Sequence, residues 1–363
     1  MLQLKKASAD RKNSILRTSL FAAVLAGMLI FLVFSILAAV TFGNADLSLK
    51  DVYSVIAYKL FHINSLSAYG EGAVHDVVWL IRLPRVLLAL GVGMALSVCG
   101  VVMQAIVQNP LADPYVLGVS SGASLGATLA IMAGIGSFFG GNSVGVMAFI
   151  GALITSFAVL AVANMGGKAN SGKLILAGMA ISSVCSAFSN FVIYITNDKN
   201  ASAEIVRWTM GSLGGASWER VRIMLPLTIV CALVFWSQYR NLNLMLLGDD
   251  VSITLGTDLH RIRTVYLILA SVLVGFAVYS SGMIGFVGLV IPHIIRILFG
   301  TDHRRLLPLS ALLGASFLIW CDVLCRIILK NSEMPIGVLV SIIGAPCFIY
   351  LLVKKSYGFG GAK

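Results

Sequence analysis

Charge is scarce in this sequence. Only 11% of its 363 residues are Asp, Glu, Lys or Arg, against about 25% in an average soluble domain. A soluble fold of this length could not cover itself with so little charge, whereas lipid solvates the outer face of a membrane protein. Carboxylates inside the apolar runs are scarcer still. Asp322 is the one candidate for the mid-membrane acid that a proton- or sodium-coupled carrier uses, and it lies four residues before Arg326, a spacing that pairs them on a helix. The six cysteines (Cys99, Cys185, Cys231, Cys321, Cys325 and Cys347) include no Cys-x-x-Cys pair and lie in or beside apolar runs. They read as small buried hydrophobes, with no disulfide framework. No Ser/His/Asp set, metal-ligand spacing or Gly-rich dinucleotide loop stands out, which leaves an enzyme without its chemistry. Gly167-Lys-Ala-Asn-Ser-Gly172-Lys173 nearly fits a phosphate-binding loop. However, Leu174 stands where a Ser or Thr must reach magnesium, and an apolar run precedes it where a strand is needed. If ATP drives this chain, a partner supplies the hydrolysis.

Hydrophobic residues make up 58% of the chain and the mean hydropathy is +0.95. A span takes about 20 apolar residues, so the length accommodates about ten. Apolar runs near 20–42, 86–107, 115–135, 144–163, 174–195, 223–239, 264–280, 284–299, 306–325 and 336–353 predict an all-α polytopic protein. It forms one domain over 1–363, with 1–19 as a cytoplasmic tail and 240–263 as a polar cytoplasmic segment. The first run is too long for a signal peptide and reads as a retained helix. The net charge of +11 sits between apolar runs, which suits membrane topology rather than nucleic acid. The Lys/Arg bias places both termini inside. It also leaves a surplus of bases outside, among them Arg82, Arg85 and Arg326.

Several local features bear on function. Ser281-Gly282, Gly285, Gly288 and Pro292 break the runs around 264–299, and lipid tolerates such breaks only where protein covers the backbone or a cavity borders it. Gly118, Gly122 and Gly126, with Gly91 and Ala95 one helix earlier, form a smooth stripe that fits tight packing or the wall of a pathway. Pro292-His293 reads as a histidine bonded to backbone. Arg82 and Arg85 flank Pro84 at a helix start, placed either for lipid headgroups or for an acidic protein. Glu204-Ile-Val-Arg-Trp-Thr-Met reads as a short surface helix. Segment 240–263 reads as two short helices, Leu242–Leu247 and Val251–Leu255, around Gly248-Asp-Asp and ending at Gly256.

Taken in order from about 80 to 353, several segments carry a family resemblance. They are Ile81-Arg-Leu-Pro-Arg85, Gln104-Ala-Ile-Val-Gln-Asn-Pro-Leu-Ala-Asp-Pro114, Leu117-Gly-Val-Ser-Ser-Gly122, and Leu247-Gly-Asp-Asp with Leu255-Gly256. Gly285-Phe-Val-Gly-Leu-Val-Ile-Pro-His293, Thr301-Asp-His-Arg304 and Met334-Pro-Ile-Gly337 with Gly344-Ala-Pro346 follow. The chain resembles the FecCD-like permeases of type II ATP-binding-cassette importers for ferric siderophores, haem and cobalamin. The resemblance implies ten helices and a second permease subunit, either an identical copy or a related paralogue. It also implies two ATPase subunits, which hold ATP and magnesium, an extracytoplasmic substrate-binding protein, and a prokaryotic inner membrane. It implies no cofactor in this chain. Carried onto matching positions, it implies docking of the binding protein on Arg82, Arg85 and Arg326. It implies a cytoplasmic gate at Asn109 and Leu111, a second gate at Ser171 and Gly172, and ATPase coupling through Gly248, Asp249, Asp250, Leu255 and Gly256. A ferric siderophore is the expected cargo.

Overall fold

The computed structural model describes residues 2–43, 45–165, 170–254, 257, 259–329 and 332–354. Side chains are described from residue 19 onward except at 116, 249, 250, 253, 351, 352 and 354. Among the described residues every regular element is helical. In chain order these are α1 (Leu2–Thr41), α2 (Leu49–Phe61), α3 (Ala73–His75), α4 (Leu83–Val107), α5 (Val119–Ala133), α6 (Ser143–Asn164), α7 (Ser171–Thr196) and α8 (Lys199–Thr209). Then come α9 (Trp218–Ser237), α10 (Tyr239–Met245), α11 (Asp249–Thr254), α12 (Leu259–Ser281), α13 (Val287–Phe299), α14 (His303–Ile327) and α15 (Ile336–Lys354). Among the described residues, seven helices are long and apolar enough to cross a membrane. Three shorter apolar ones, Val119–Ala133, Val287–Phe299 and Ile336–Tyr350, match the remaining runs of the sequence.

Polar caps mark where several helices begin. Asn170 accepts from Lys173 N at 2.8 Å to start α7. Asp198 accepts from Asn200 N at 2.8 Å to start α8, and Asp302 from Arg304 N at 3.0 Å to start α14. Each satisfies an N–H that the first turn leaves without a partner. Several boundaries differ from those read in the sequence, and three of them have a clear local cause. The backbone of α1 is helical from Leu2, so the expected tail continues the first helix; its Leu, Ala, Lys and Arg residues are good helix formers. α5 starts at Val119 rather than near 115, because Pro114–Leu117 forms a tight 3₁₀ turn and Gly118 then turns the chain at φ 73°. α13 starts at Val287 rather than 284, because Gly282 (φ 67°) and Phe286 (φ 65°) are left-handed.

α4 is the axis of the bundle. With α3 and a π-helical turn over Asp76–Arg82 it forms one helix, Ala73–Val107, of whose most apolar stretch 89% is buried inside this single chain. α9, α12, α13 and α14 pack around it. Contact at backbone distance requires glycine. A Cβ on Gly100 would sit 1.8 Å from the Gly288 carbonyl oxygen, and one on Gly93 would sit 2.3 Å from that of Gly314. The Gly122–Gly126 stripe serves the same purpose. A Cβ on Gly122 would meet Thr155, and one on Gly126 the Met147 carbonyl, both on α6. The stripe is therefore a packing seam. The broken backbone between α12 and α13 is covered by protein, as lipid demands. Ser212 N donates to Ser281 O at 2.8 Å and Gly337 N to Met210 O at 3.0 Å, and Tyr115 Oη donates to Ile284 O at 3.2 Å.

Candidate functional site

Three regions gather the residues singled out by the sequence. The first is a charged cluster where α4 begins and α14 ends. Arg85 Nε donates to Asp322 Oδ1 at 2.8 Å, and its Nη1 reaches both oxygens of Glu333 at 2.8–2.9 Å. Arg326 pairs with the other Asp322 oxygen at 3.1 Å, as the four-residue spacing predicts. Arg326 Nη1 also donates to Phe42 O at 2.8 Å. Arg82 donates to Val40 O, Thr41 O and Ala45 O at 3.2, 2.9 and 2.6 Å. The last carbonyls of α1 have no partner within their helix and carry the negative end of its dipole, so two guanidinium groups are well matched to them. Arg82, Arg85 and Arg326 are consequently buried, at 3, 6 and 5% exposure. The sequence places them on an open outer face, but in the chain they point inward and tie α1, α4 and α14 together. Glu333 is the exposed member, and it borders an adjoining cavity of about 220 Å³ with all three arginines.

The second region is the loop after α4. Gln108 adopts a left-handed conformation (φ 55°) and ends the helix. Asn109 Oδ1 accepts from Leu111 N at 2.9 Å, and Asp113 Oδ1 accepts from Tyr115 N at 2.9 Å. These two side-chain turns, with Pro110 and Pro114, hold a stiff plug. Burial pushes the Asp113 carboxyl up to about 6, opposed by the N–H of Tyr115. Ser171 Oγ donates to Ile106 O at 3.3 Å. The start of α7 therefore meets the end of α4 three residues before Asn109, which brings the two expected gate segments together. Gly172 lies exposed beside Ser171. The loop also seats against α13, where Pro114 would meet a Cβ on Gly288. Gln104 locks that contact by accepting from Arg296.

The third region is the polar segment α10–α11. Two short helices are present, each starting two to three residues earlier than read, at Tyr239–Met245 and Asp249–Thr254, and they are joined at Gly248 (φ 93°), where only glycine turns freely. Leu242 and Met245 are fully buried anchors, while Leu247 and Val251 are 57 and 44% exposed. Ser252 Oγ ties the second helix back to Leu244 O and Gly248 O at 3.1 and 2.8 Å. Asn243 joins α10 to the start of α14. Its Oδ1 accepts from His303 N at 2.9 Å and its Nδ2 donates to Asp302 Oδ1 at 2.9 Å. Asp249 and Asp250 open α11 on the backbone, and their side chains lie outside the described residues, as do Leu255 and Gly256.

Sequence reasoning missed Glu333, Gln104, Tyr115 and Asn243. Glu333 and Asn243 sit in polar stretches where only the fold reveals a partner. Gln104, a lone amide in an apolar run, is a signal that could have been read, because a buried amide needs partners.

Comparison with known proteins accords with this geometry. The FecCD transport family matches residues 21–354. An uncharacterised ABC transporter permease protein, YvrB, of Bacillus subtilis is 40% identical over 94% of this chain and 96% of its own length. The hemin transport system permease protein HmuU of Yersinia pestis is 38% identical over 90% and 94% of the two chains. The vitamin B12 import system permease protein BtuC of Salmonella paratyphi A is 41% identical over 80% and 86%. Among solved structures, a metal-chelate type ABC transporter in an inward-facing conformation superposes with a TM-score of 0.76 and 31% identity, covering 92% of this chain and all of that one. A multi-pass helical bundle and a family match over nearly its whole length lead to one conclusion: this chain belongs to the FecCD transport family, as an ABC importer permease.

Proposed function

We propose that the chain is one of two permease subunits of a prokaryotic inner-membrane importer for a metal chelate. A ferric siderophore is the favoured cargo, with haem and cobalamin next. An extracytoplasmic binding protein delivers the cargo, and two ATPase subunits, holding ATP and magnesium, supply the power stroke. Both termini face the cytoplasm. The observation that carries this reading is the α10–α11 knob. It places exposed Leu247 and Val251 on a polar segment between spanning helices and bonds rigidly to the start of α14. Exposed apolar groups on such a knob suit a groove in a partner protein. Gly248, at φ 93°, suits a turn on which the knob pivots.

The loop with Asn109 and Leu111, packed beside Ser171 and Gly172, would close the pathway on the cytoplasmic side. The second permease subunit, an identical copy or a paralogue, would cover α7. There Ser183, Ser186 and Asn190 lie exposed along one face of a spanning helix. Polar groups facing lipid are costly, so a water-lined pathway between subunits suits them better. Docking through the arginines would centre on Arg85, because its partner Glu333 is 44% exposed and can be replaced by an acid of the binding protein. Arg82 and Arg326 would support that site from below. The ion-coupled alternative loses its candidate acid, since Asp322 is bracketed by Arg85 and Arg326.

Uptake by proteoliposomes tests this reading. Ferric siderophore, haem and cobalamin would each be offered with the binding protein, the ATPase and ATP. The proposal expects uptake only when every component is present. Concentrative uptake by this chain alone under an ion gradient would overturn it.

A further inference from the structure

An almost wholly apolar opening in the bundle lies apart from the gate and the charged cluster. α1, α9 and α14 meet over α4 around an open cavity of about 310 Å³. Its wall includes Leu25, Leu29, Met94, Trp236, Leu307 and Pro308, and it offers almost no polar surface. Every one of these helices is a candidate membrane span. Water gains no hydrogen bonds in such a space, and an empty one forfeits contacts on every side.

The mouth of the cavity is not apolar. Trp236 is 44% exposed and its Nε1 donates to Arg304 O at 3.0 Å, which fixes the indole there. Tryptophan marks the lipid headgroup level. Arg304 is exposed and Arg305 half-buried at the start of α14. The Arg305 guanidinium lies 5.8 Å from the centre of the Phe21 ring. Phe21, Leu25 and Leu29 follow at four-residue steps on α1, so Arg305 caps the same stripe that walls the cavity. The neighbouring carboxylate, Asp302, has its Oδ1 occupied by Asn243 Nδ2 and Arg304 N. Basic pockets between spanning helices recognise anionic lipid headgroups.

We infer that this cavity is the seat of an anionic phospholipid. One acyl chain lies against Leu25, Leu29 and Met94, and the phosphate meets Arg304 and Arg305. The charge at the mouth selects the headgroup, while the carbon wall accepts any chain. The bound lipid would wedge α1 against the start of α14, next to the Asn243 bridge.

The test uses the full chain in phosphatidylcholine bilayers with phospholipids brominated on their acyl chains. Trp236 fluorescence is taken as the difference between the unaltered protein and Trp236→Phe. We expect half-maximal quenching at a several-fold lower mole fraction of brominated phosphatidylglycerol than of brominated phosphatidylcholine. The double variant Arg304→Gln/Arg305→Gln should remove that preference and leave quenching by phosphatidylcholine unchanged. Ala232→Phe, which fills the cavity, should weaken quenching by both. Mass spectrometry of lipid retained through purification gives a second reading, with phosphatidylglycerol enriched in the unaltered protein and lost in the double variant. Equal quenching by the two lipids, a preference that survives in the double variant, or no quenching at all because protein covers the groove would each overturn the inference.

Discussion

The two ends of α14 are built differently. The helix is 25 residues long, a rod of about 37 Å at 1.5 Å per residue. At its far end, Asp322 and Arg326 are buried with Arg85, charge held against charge, and arginines seize the loose carbonyls of α1. At its near end, exposed Asp302, buried His303 and half-buried Asn243 make neutral or singly charged hydrogen bonds. Breaking a buried ion pair by removing one partner costs about 3–5 kcal/mol, whereas an ordinary hydrogen bond contributes about 1 kcal/mol. Under the proposed function the far end would stay fixed while a partner displaces the near one, and a rod held in that way would turn a movement of the knob into a tilt.

Asp322→Ala should have the largest effect on this contrast. It leaves Arg85 and Arg326 buried together without their shared acid, and thermal unfolding in detergent should report a loss of about 3–5 kcal/mol. A loss below 1 kcal/mol would mean that the far end is no anchor. Asn243→Ala should be milder for folding, about 1–3 kcal/mol for the donors and acceptors it strands. It should act mainly on transport, lowering uptake in the reconstituted complex more than ATP hydrolysis. Equal losses of both would show that the bridge serves stability alone.

Asp113→Asn sharpens the comparison at the gate loop. The folded loop raises this carboxyl from an ordinary value of 3.8 to about 6, so its ionisation opposes folding. The penalty is absent below pH 3.8 and grows until the pH passes about 6. The asparagine variant, which still accepts from Tyr115 N, should match the unaltered protein at low pH. It should be more stable by about 3 kcal/mol at neutral pH. A difference that does not change with pH would remove Asp113 from the account of the loop.

Much of this was legible in the sequence because lipid imposes simple rules. Runs of apolar residues gave the spanning helices, Gly282 and Gly285 marked a break that protein had to cover, and the spacing of Asp322 and Arg326 gave their pair. The glycine stripe favoured packing, with a pathway wall as a compatible alternative, and Thr155 and Met147 lie against it. The orientation of the arginines was not legible. Arg82 and Arg85 flank a proline before an apolar run, which suits an outer surface. What turns Arg82 inward is the end of α1, roughly forty residues earlier, and what turns Arg85 inward is Asp322 on α14; no local pattern encodes either meeting. Glu333 was equally hidden, since its partner Arg85 lies 248 residues away.

The proposed mechanism turns on force entering through Leu247 and Val251, and Leu247→Asp tests this most directly. Leu247 is 57% exposed, so the substitution should leave the chain folded while spoiling an apolar contact with an ATPase. The measurement is cargo imported per ATP hydrolysed by the reconstituted complex. A collapse of that ratio at unchanged thermal stability is the expected result. A ratio equal to that of the unaltered complex would contradict the mechanism.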